Sequence, residues 1–196
     1  MRLRFFSLVG LCALACVSLA EPIVFIADLS GGAEEPPVTS TGFGSARVTI
    51  DAVAHTMRVE ASFEDLVGTT TVAHIHVING PGDANNSDTL GPIATQTPSF
   101  FDFPTGVTEG VYDQTFDMTL ASSYNATFVT NSGGTVALAE AALFTAIVEG
   151  RAYLNIHSTF VASGEIRGFL APVPEPGTMA ALALGGLALL RRRRKS

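Results

Sequence analysis

Residues 44–63, GSARVTIDAVAHTMRVEASF, carry a clear alternation of apolar and polar residues. Every second residue is apolar on either side of a short break, and these alternating positions are Ala46, Val48, Ile50, Met57, Val59 and Ala61. Successive side chains of a β-strand point to opposite faces, so a period of two predicts two strands, 44–50 and 56–63, each with one buried face. The polar stretch 51–55 is short enough to close them into a hairpin.

Strand-like sequence continues on both sides of this hairpin. We predict strands over 23–29, 69–78 and 112–120, and a closing hairpin formed by 151–157 and 164–170. Two loops rich in turn-forming residues interrupt this pattern, namely 30–40 with its Gly-Gly and Pro-Pro steps and 79–91 with its Gly-Pro steps.

One segment has a helical period instead. Apolar side chains recur at helical spacing at Val136, Ala139, Leu143 and Ile147, with Phe144 and Val148 beside them. Gly150 follows as a stop signal, so we predict one amphipathic helix over 135–148, and a shorter helical turn within 121–130. The sequence therefore predicts an all-β fold, an antiparallel β-sandwich with one helical insertion.

The first 20 residues have the composition of a secretory signal peptide. Arg2 and Arg4 precede an apolar run over 5–17, and the small residues Ser18 and Ala20 form a cleavage site. We therefore predict a signal peptide over 1–20, cut after Ala20 by signal peptidase.

Both cysteines of the chain, Cys12 and Cys16, lie within this segment. Its removal leaves a mature chain with no disulfide, no thiol nucleophile and no thiolate metal site. The alternative is a lipoprotein in which Cys16 is lipidated. However, residues 13–15 are a poor match to the motif that usually precedes a lipidated cysteine.

The other end, residues 173–196, has three parts in a definite order. Pro174-Glu175-Pro176 cannot continue a helix or a strand, and an apolar run follows over 177–190. The chain then carries a basic cluster that resists translocation, made of Arg191, Arg192, Arg193, Arg194 and Lys195. This order resembles the PEP-CTERM tail of exported bacterial surface proteins. The resemblance implies that an exosortase, a membrane protease, processes the chain near the Pro-Glu-Pro.

The apolar run is short for a permanent anchor. A spanning helix needs about 20 apolar residues, whereas 177–190 is shorter, and the pair Gly185-Gly186 weakens its helix. We expect only transient insertion of this short transmembrane segment into the inner membrane, with a permanent single-span anchor as the alternative.

The charge of the intervening domain, residues 21–172, narrows the range of partners. It carries four basic and 17 acidic residues, a formal net charge of −13, because most basic residues lie in the terminal segments. Such a field repels nucleic acid and anionic lipid, so we expect no nucleic-acid partner. Solubility after export explains the same charge without any partner.

Three of the four histidines are candidates for a metal site. His74 and His76 stand at i and i+2 of a predicted strand and share a face, roughly 6–7 Å apart. If the strand that carries His157 pairs beside them, three imidazoles converge in a set suited to copper or zinc. The alternative is that these histidines only bond the backbone at strand ends. His55, in a turn, is expected to be unrelated.

Other polar groups give weaker patterns. Asp83, Asn85 and Asp88 could ligate calcium in a loop, but they lack the glycine and final glutamate of a calcium hand. Glu165 and Arg167 share a strand face, and a buried pair there would fix the register of the hairpin. No Ser/His/Asp arrangement, phosphate loop or paired-carboxylate motif is evident, so nothing in the sequence supports an enzyme.

Four blocks of sequence resemble the CHRD domain, in the same order as in that family. They are FIADLSGGAEEPPV (25–38), AHIH (73–76) with the Gly-Pro turns at 80 and 91, YLNIH (153–157) and GEIRG (164–168). The resemblance covers about 25–170, although the 79–91 loop is long for the family and 99–109 aligns poorly. It implies an immunoglobulin-like or superoxide-dismutase-like sandwich. It does not point to a particular activity, because the bacterial members of the family have no settled biochemical activity.

The His-x-His strand is also similar to the copper site of copper-zinc superoxide dismutases. Such an enzyme needs a bridging histidine, zinc ligands and a disulfide. A mature chain with four histidines and no cysteine cannot readily supply them, so we do not expect dismutase activity.

These observations predict an exported, exosortase-processed protein of the cell surface or extracellular matrix of a Gram-negative bacterium. Its domain is expected to be a non-catalytic binding or structural module, with an exopolysaccharide or another surface protein as partner. The alternative is a histidine-based copper or zinc protein, with redox activity less expected. A hydrolase acting on matrix polymers is a third possibility, supported by location alone.

Overall fold

The computed structural model describes residues 21–80 and 89–173, and it confirms the all-β prediction. The strands are β1 (Ile23–Ser30), β2 (Phe43–Asp51), β3 (Thr56–Glu64), β4 (Thr70–Val77), β5 (Gly110–Asp117), β6 (Ala152–Ser158), β7 (Ile166–Phe169) and β8 (Ala171–Pro172). The helices are α1 (Ala126–Asn131) and α2 (Val136–Val148), and short 3-10 turns cover Gly31–Ala33 and Ala121–Ser123.

The β2–β3 hairpin forms as its alternation predicts. The two strands pair antiparallel from Phe43 opposite Glu64 to Asp51 opposite Thr56. The carboxylate of Asp51 accepts hydrogen bonds from the backbone N–H groups of Val53 and Ala54, which stabilises the turn. All six alternating apolar residues of the hairpin are buried.

The strands form one antiparallel sheet in the order β4-β6-β7-β1-β2-β3-β5, with β8 added beside β1. The other edge of β4 is covered by the segment 92–107, which leads into β5. Three backbone bonds hold it there, from Ala94 N–H to the Ile75 carbonyl (3.0 Å), from Phe100 N–H to Ala73 (3.1 Å) and from Thr70 N–H to Val107 (2.8 Å). The sheet therefore curls around a single apolar core, in a sandwich-like architecture.

Helix α2 closes this core at the β4–β6 side. Ala139, Leu143 and Ile147 are buried against it, the Thr135 hydroxyl caps the helix start, and Gly150 ends it with a φ of 70°. Val148, which the sequence pattern placed beside the buried face, is half exposed instead.

Strand β5 is shorter than predicted. It ends at Asp117 rather than at Leu120, because the Asp117 carboxylate accepts hydrogen bonds from the backbone N–H (2.9 Å) and the hydroxyl (2.6 Å) of Thr119. This side-chain turn competes with the strand ladder and redirects the chain.

Several sequence-based predictions concern residues outside the described ranges. These are the signal peptide with its Ala20 cleavage site, the calcium-type residues of the 79–91 loop, and the tail with Pro174, Glu175, Pro176 and the basic cluster from Arg191 to Lys195. Across 21–80 and 89–173, no helix is both long and apolar enough to cross a membrane.

Strand β6 and most of β4 and β7 are buried on both faces, and the two faces differ in chemistry. One face points into the apolar core through Ile75, Leu154, Ile156 and Ile166. The opposite face is polar and is covered by loops; its side chains are His74, His76, Tyr153, Asn155, His157 and Arg167. This polar face holds the candidate site.

Candidate metal centre

The three histidines selected from the sequence come together on the polar face. Strand β6 pairs antiparallel with β4, so that His74 lies opposite Asn155 and His157 lies opposite Val72. One ring nitrogen from each of His74, His76 and His157 can be chosen so that all three lie within 4.8 Å of one another. The imidazoles are almost enclosed, with exposed fractions of 3%, 8% and 7%.

Each imidazole donates one N–H to a backbone carbonyl. Nδ1 of His76 bonds the Gly91 carbonyl (2.9 Å), Nδ1 of His157 bonds the Ala162 carbonyl (3.0 Å), and Nε2 of His74 bonds the Pro98 carbonyl. A carbonyl only accepts, so each of these nitrogens carries the proton and fixes the tautomer of its ring.

The other nitrogen of each ring therefore carries a lone pair. These nitrogens are Nδ1 of His74, Nε2 of His76 and Nε2 of His157. Nε2 of His76 is buried without a hydrogen-bond partner among the described residues. Nδ1 of His74 and Nε2 of His157 are 3.4 Å apart, and with no proton between them they repel each other.

Burial keeps all three rings neutral. Desolvation lowers the pKa of His74 to about 4 and the pKa of His76 to about 4, in both cases against the opposing effect of the hydrogen bond to a backbone carbonyl. Desolvation also lowers the pKa of His157. The rings are thus in the deprotonated form that binds metals.

This arrangement has the features of a metal site. Metal-binding histidines generally donate their second N–H to a carbonyl or carboxylate, which orients the ring. Copper and zinc bind imidazole nitrogen at about 2.0–2.1 Å, which places two ligand nitrogens about 3.3–3.6 Å apart. The 3.4 Å between the bare nitrogens of His74 and His157 falls in that range.

A second polar layer lies beside the histidines. The ring of Tyr153 stacks on His76 at 4.9 Å, and the Arg167 guanidinium lies over the same ring at 4.8 Å. Arg167, only 2% exposed, donates to the carbonyls of Ala33 and Thr89 (2.5 and 2.7 Å) and has the Glu34 carboxylate 3.7 Å away. These residues enclose the His76 side of the cluster.

Two oxygens of this layer have no hydrogen-bond partner among the described residues, Oε1 of Glu34 and Oδ1 of Asn155. Burial raises the pKa of Glu34 to about 7, even though Arg167 and a hydrogen bond with Asn155 act in the opposite direction. Glu34 is therefore only partly ionised near neutral pH.

The sequence did not reveal this second layer as part of the site. In YLNIH, residues 153, 155 and 157 alternate, so Tyr153 and Asn155 could have been placed on the face of His157 from the period of two. The contributions of Glu34 and of the Gly91, Pro98 and Ala162 carbonyls had no such signal, because they come from loops distant along the chain.

Glu165 and Arg167 do not pair with each other among the described contacts. The Glu165 carboxylate is fully buried and accepts from the Ser40 hydroxyl, the Val67 and Gly68 N–H groups and the Ser158 hydroxyl. Burial alone would raise its pKa, but these hydrogen bonds outweigh that effect and hold the pKa below its usual range. Glu165 thus joins four segments of the fold.

His55 is remote from the cluster, as expected. It closes the β2–β3 turn with a φ of 54°, and its Nδ1 lies 2.9 Å from a carboxylate oxygen of Glu140 on α2. Its role is therefore a contact between the hairpin and the helix.

A surface groove of about 610 Å³ crosses β2, β3 and β5 at a distance from the histidines along the sheet order. Phe43 and Val111 are exposed there, at 47% and 80%. Polar groups line the same groove, including Ser45, Ser62, Glu64 and Glu109.

An all-β, sandwich-like domain with a buried histidine cluster on its polar face is the class that the fold and the site define. The chain belongs to the CHRD domain family, whose model matches residues 25–170. Residues 172–195 match the PEP-CTERM protein-sorting motif. That motif marks an exosortase-targeted protein that is exported and attached to the surface of a Gram-negative bacterium. A comparison with curated proteins gave no significant match.

Proposed function

We propose that this exosortase-targeted surface protein is a non-catalytic metal-binding protein whose CHRD domain holds one copper or zinc ion. The ligands are Nδ1 of His74, Nε2 of His76 and Nε2 of His157. The observation that carries the proposal is that all three rings donate their proton to a backbone carbonyl while one ring nitrogen of each lies within 4.8 Å of the other two, with the bare nitrogens of His74 and His157 facing each other at 3.4 Å.

The alternative, a purely structural role for the histidines, leaves these nitrogens unexplained. A ring that only stabilises a strand end has no reason to bury an acceptor without a donor, because an unsatisfied buried polar atom costs about 1–3 kcal/mol. Among the described residues Nε2 of His76 has no partner, and the His74 and His157 nitrogens oppose each other. A bound cation removes all three costs at once.

The non-catalytic part of the proposal rests on the surroundings of the site. Among the described residues, the polar partners of the three imidazoles are backbone carbonyls and one another. No hydroxyl or carboxylate of the described residues hydrogen-bonds a bare nitrogen, so a general-base role has no adjacent nucleophile there.

The test is the metal content of the full chain, produced in a Gram-negative host and purified in detergent without a histidine tag. We expect about one equivalent of copper or zinc, lost in His76→Ala and in the His74→Ala/His76→Ala double variant. His55→Ala is the matched control and should keep its metal. Circular dichroism shows whether each variant folds. Folded wild-type protein that takes up neither metal, or a folded His76→Ala with full metal content, refutes the proposal.

The surface groove favours a second, independent role in binding a neutral polysaccharide. Phe43 offers an exposed ring for stacking on a sugar, and Ser45, Ser62, Glu64 and Glu109 offer hydrogen-bonding groups. The charge of −13 disfavours anionic polymers. Calorimetric titration with neutral glucans and mannans tests this role. We expect binding that Phe43→Ala abolishes and Phe160→Ala, an equally exposed phenylalanine elsewhere, leaves intact; no heat with any neutral polymer rejects it.

A further inference from the structure

We infer that the three-histidine site selects monovalent copper, Cu(I), over the divalent ions Zn(II) and Cu(II). This inference rests on the proposed function, since it names the cargo of the same site. Three properties of the site carry it: the charge of the ligands, the charge of the surroundings, and the number of ligands.

The ligands are neutral. Within the described residues, the cluster contains His74, His76 and His157 and no carboxylate or thiolate. A metal bound by three neutral imidazoles keeps its whole charge, which is +1 for Cu(I) and +2 for Zn(II) or Cu(II). The ligand set therefore does nothing to reduce the cost of burying a dication.

That cost is large in this position. The three rings are nine-tenths or more buried, and the penalty for moving an ion out of water grows with the square of its charge in the Born description. A dication thus pays about four times the desolvation penalty of a monocation of similar size. Anionic neighbours could offset the difference.

Among the described residues, Arg167 brings a positive charge to the neighbourhood of the cluster. Its guanidinium is buried 4.8 Å from the ring centre of Tyr153, and that ring stacks on His76 at 4.9 Å, so the positive charge lies close to the cluster. Any cation at the cluster is repelled by this charge, and the repulsion is twice as large for a dication. Glu34 beside Arg167 compensates only in part, because its carboxyl group is partly protonated near neutral pH.

The ligand number acts in the same direction. Zn(II) in proteins has four protein ligands, or three with a water in the fourth position, whereas the described residues supply three nitrogens in a nearly enclosed place that leaves little access for water. Cu(I) has a filled d shell and is satisfied by three nitrogens in a trigonal arrangement. The 3.4 Å between the His74 and His157 nitrogens suits such a centre.

The experiment is a competition titration of the metal-free full chain in detergent. Cu(I) is presented without oxygen against bicinchoninate, and Zn(II) is presented against a chromophoric zinc chelator. We expect a Kd for Cu(I) at least about 100-fold below that for Zn(II), and an X-ray absorption spectrum with three nitrogen ligands. His55→Ala should behave as wild type, and His76→Ala should bind neither ion well.

A second variant tests the electrostatic cause. Glu34→Gln removes the partial negative charge beside Arg167, so at pH 8 it should raise the preference for Cu(I) by about threefold. The neighbouring Glu35→Gln, on an exposed side chain, is the control.

The outcomes separate the two proposals. Zn(II) bound as tightly as Cu(I), or a four-coordinate copper centre, overturns the inference while metal binding stands. If Glu34→Gln lowers the preference for Cu(I), the electrostatic explanation is wrong. A folded chain that binds neither ion overturns the proposed function itself.

Discussion

Nδ1 of His74 and Nε2 of His157 face each other at 3.4 Å across the β4–β6 pair, and both carry lone pairs. Neither can donate, because the proton of each ring is committed to a carbonyl, of Pro98 for His74 and of Ala162 for His157. This relationship makes the apo site electrostatically unfavourable and a cation-filled site favourable. We therefore expect metal binding to stabilise the fold.

Metal should raise the thermal stability of the chain. A ligand that binds only the folded state at 100 times its Kd stabilises it by about 2.7 kcal/mol, which corresponds to several degrees in Tm. We expect this shift with Cu(I) in differential scanning calorimetry. The His74→Ala/His76→Ala variant should show no shift, and a shift of equal size in it would place the bound metal elsewhere.

Gly164→Ala should disturb the site without touching a histidine. Gly164 has a φ of 134°, and a Cβ there would lie 2.5 Å from the side-chain amide of Asn155, between the His157 strand and the Ala162 loop. We expect a loss of about 1–3 kcal/mol in the free energy of unfolding and weaker metal binding.

Gly106→Ala is the control for this prediction. Gly106 also has a positive φ, of 76°, but a Cβ there meets nothing within 4 Å. The Gly106→Ala substitution should lower the free energy of unfolding only through backbone strain at this positive φ, and it should leave the metal affinity unchanged. Equal losses of affinity in the two variants would contradict a local effect at Asn155.

Glu165→Gln should be strongly destabilising. The buried carboxylate accepts from two backbone N–H groups and two hydroxyls, and an amide replaces one acceptor oxygen by a donor. We expect a loss of about 2–4 kcal/mol in chemical denaturation. Glu64→Gln, at an exposed position of β3, should change stability by less than about 0.5 kcal/mol, and similar losses in both variants would refute the role of the Glu165 hydrogen bonds.

Glu34 should make the fold less stable as the pH rises. Its pKa is raised from 4.5 to about 7 by burial, so the folded state holds this proton more tightly than the unfolded state. The stabilisation is complete below about pH 4.5 and is lost as the pH rises through about 7. Between pH 5 and 8, the free energy of unfolding of Glu34→Gln should fall by about 1–3 kcal/mol less than that of the wild type.

The comparison for Glu34 uses the slope of unfolding free energy against pH, since the substitution also changes the pairing with Arg167. Glu35→Gln should keep the wild-type slope. An unchanged slope in Glu34→Gln would show that Glu34 titrates normally in the fold.

The metal-free chain should lose stability in acid through its histidines. The pKa values of His74 and His76 are lowered from 6.5 to about 4, so the unfolded state takes up protons first. The stabilisation is present above about pH 6.5 and is lost as the pH falls through about 4.

The measurement is denaturation in chelator between pH 7 and 4. The His74→Gln/His76→Gln variant cannot titrate at these positions. Its free energy of unfolding should therefore fall less than that of the wild type over this range, by roughly 2–3 kcal/mol for each histidine replaced. His55→Gln is the control, and a double variant with the acid sensitivity of wild type would contradict the burial of these rings.

The strands, the long helix and two of the three histidines of the proposed site could be predicted from the sequence alone. The period of two in 44–63 fixed the hairpin, because a one-residue slip would expose every apolar side chain. The same period put His74 and His76 on one face, since residues i and i+2 of a strand must share it. The family blocks and the sorting tail were also legible from sequence, and both are confirmed.

Long-range packing brings His157 to the other two histidines and sets the tautomer of each ring. The pairing of β4 with β6 joins segments about 80 residues apart, and no local pattern encodes a partner at that separation. The Gly91, Pro98 and Ala162 carbonyls that fix the tautomers, and the Glu34–Arg167 pair beside the site, likewise come from separate loops. A local period specifies which face a side chain occupies, whereas the charge and hydrogen bonding of a buried site depend on long-range packing.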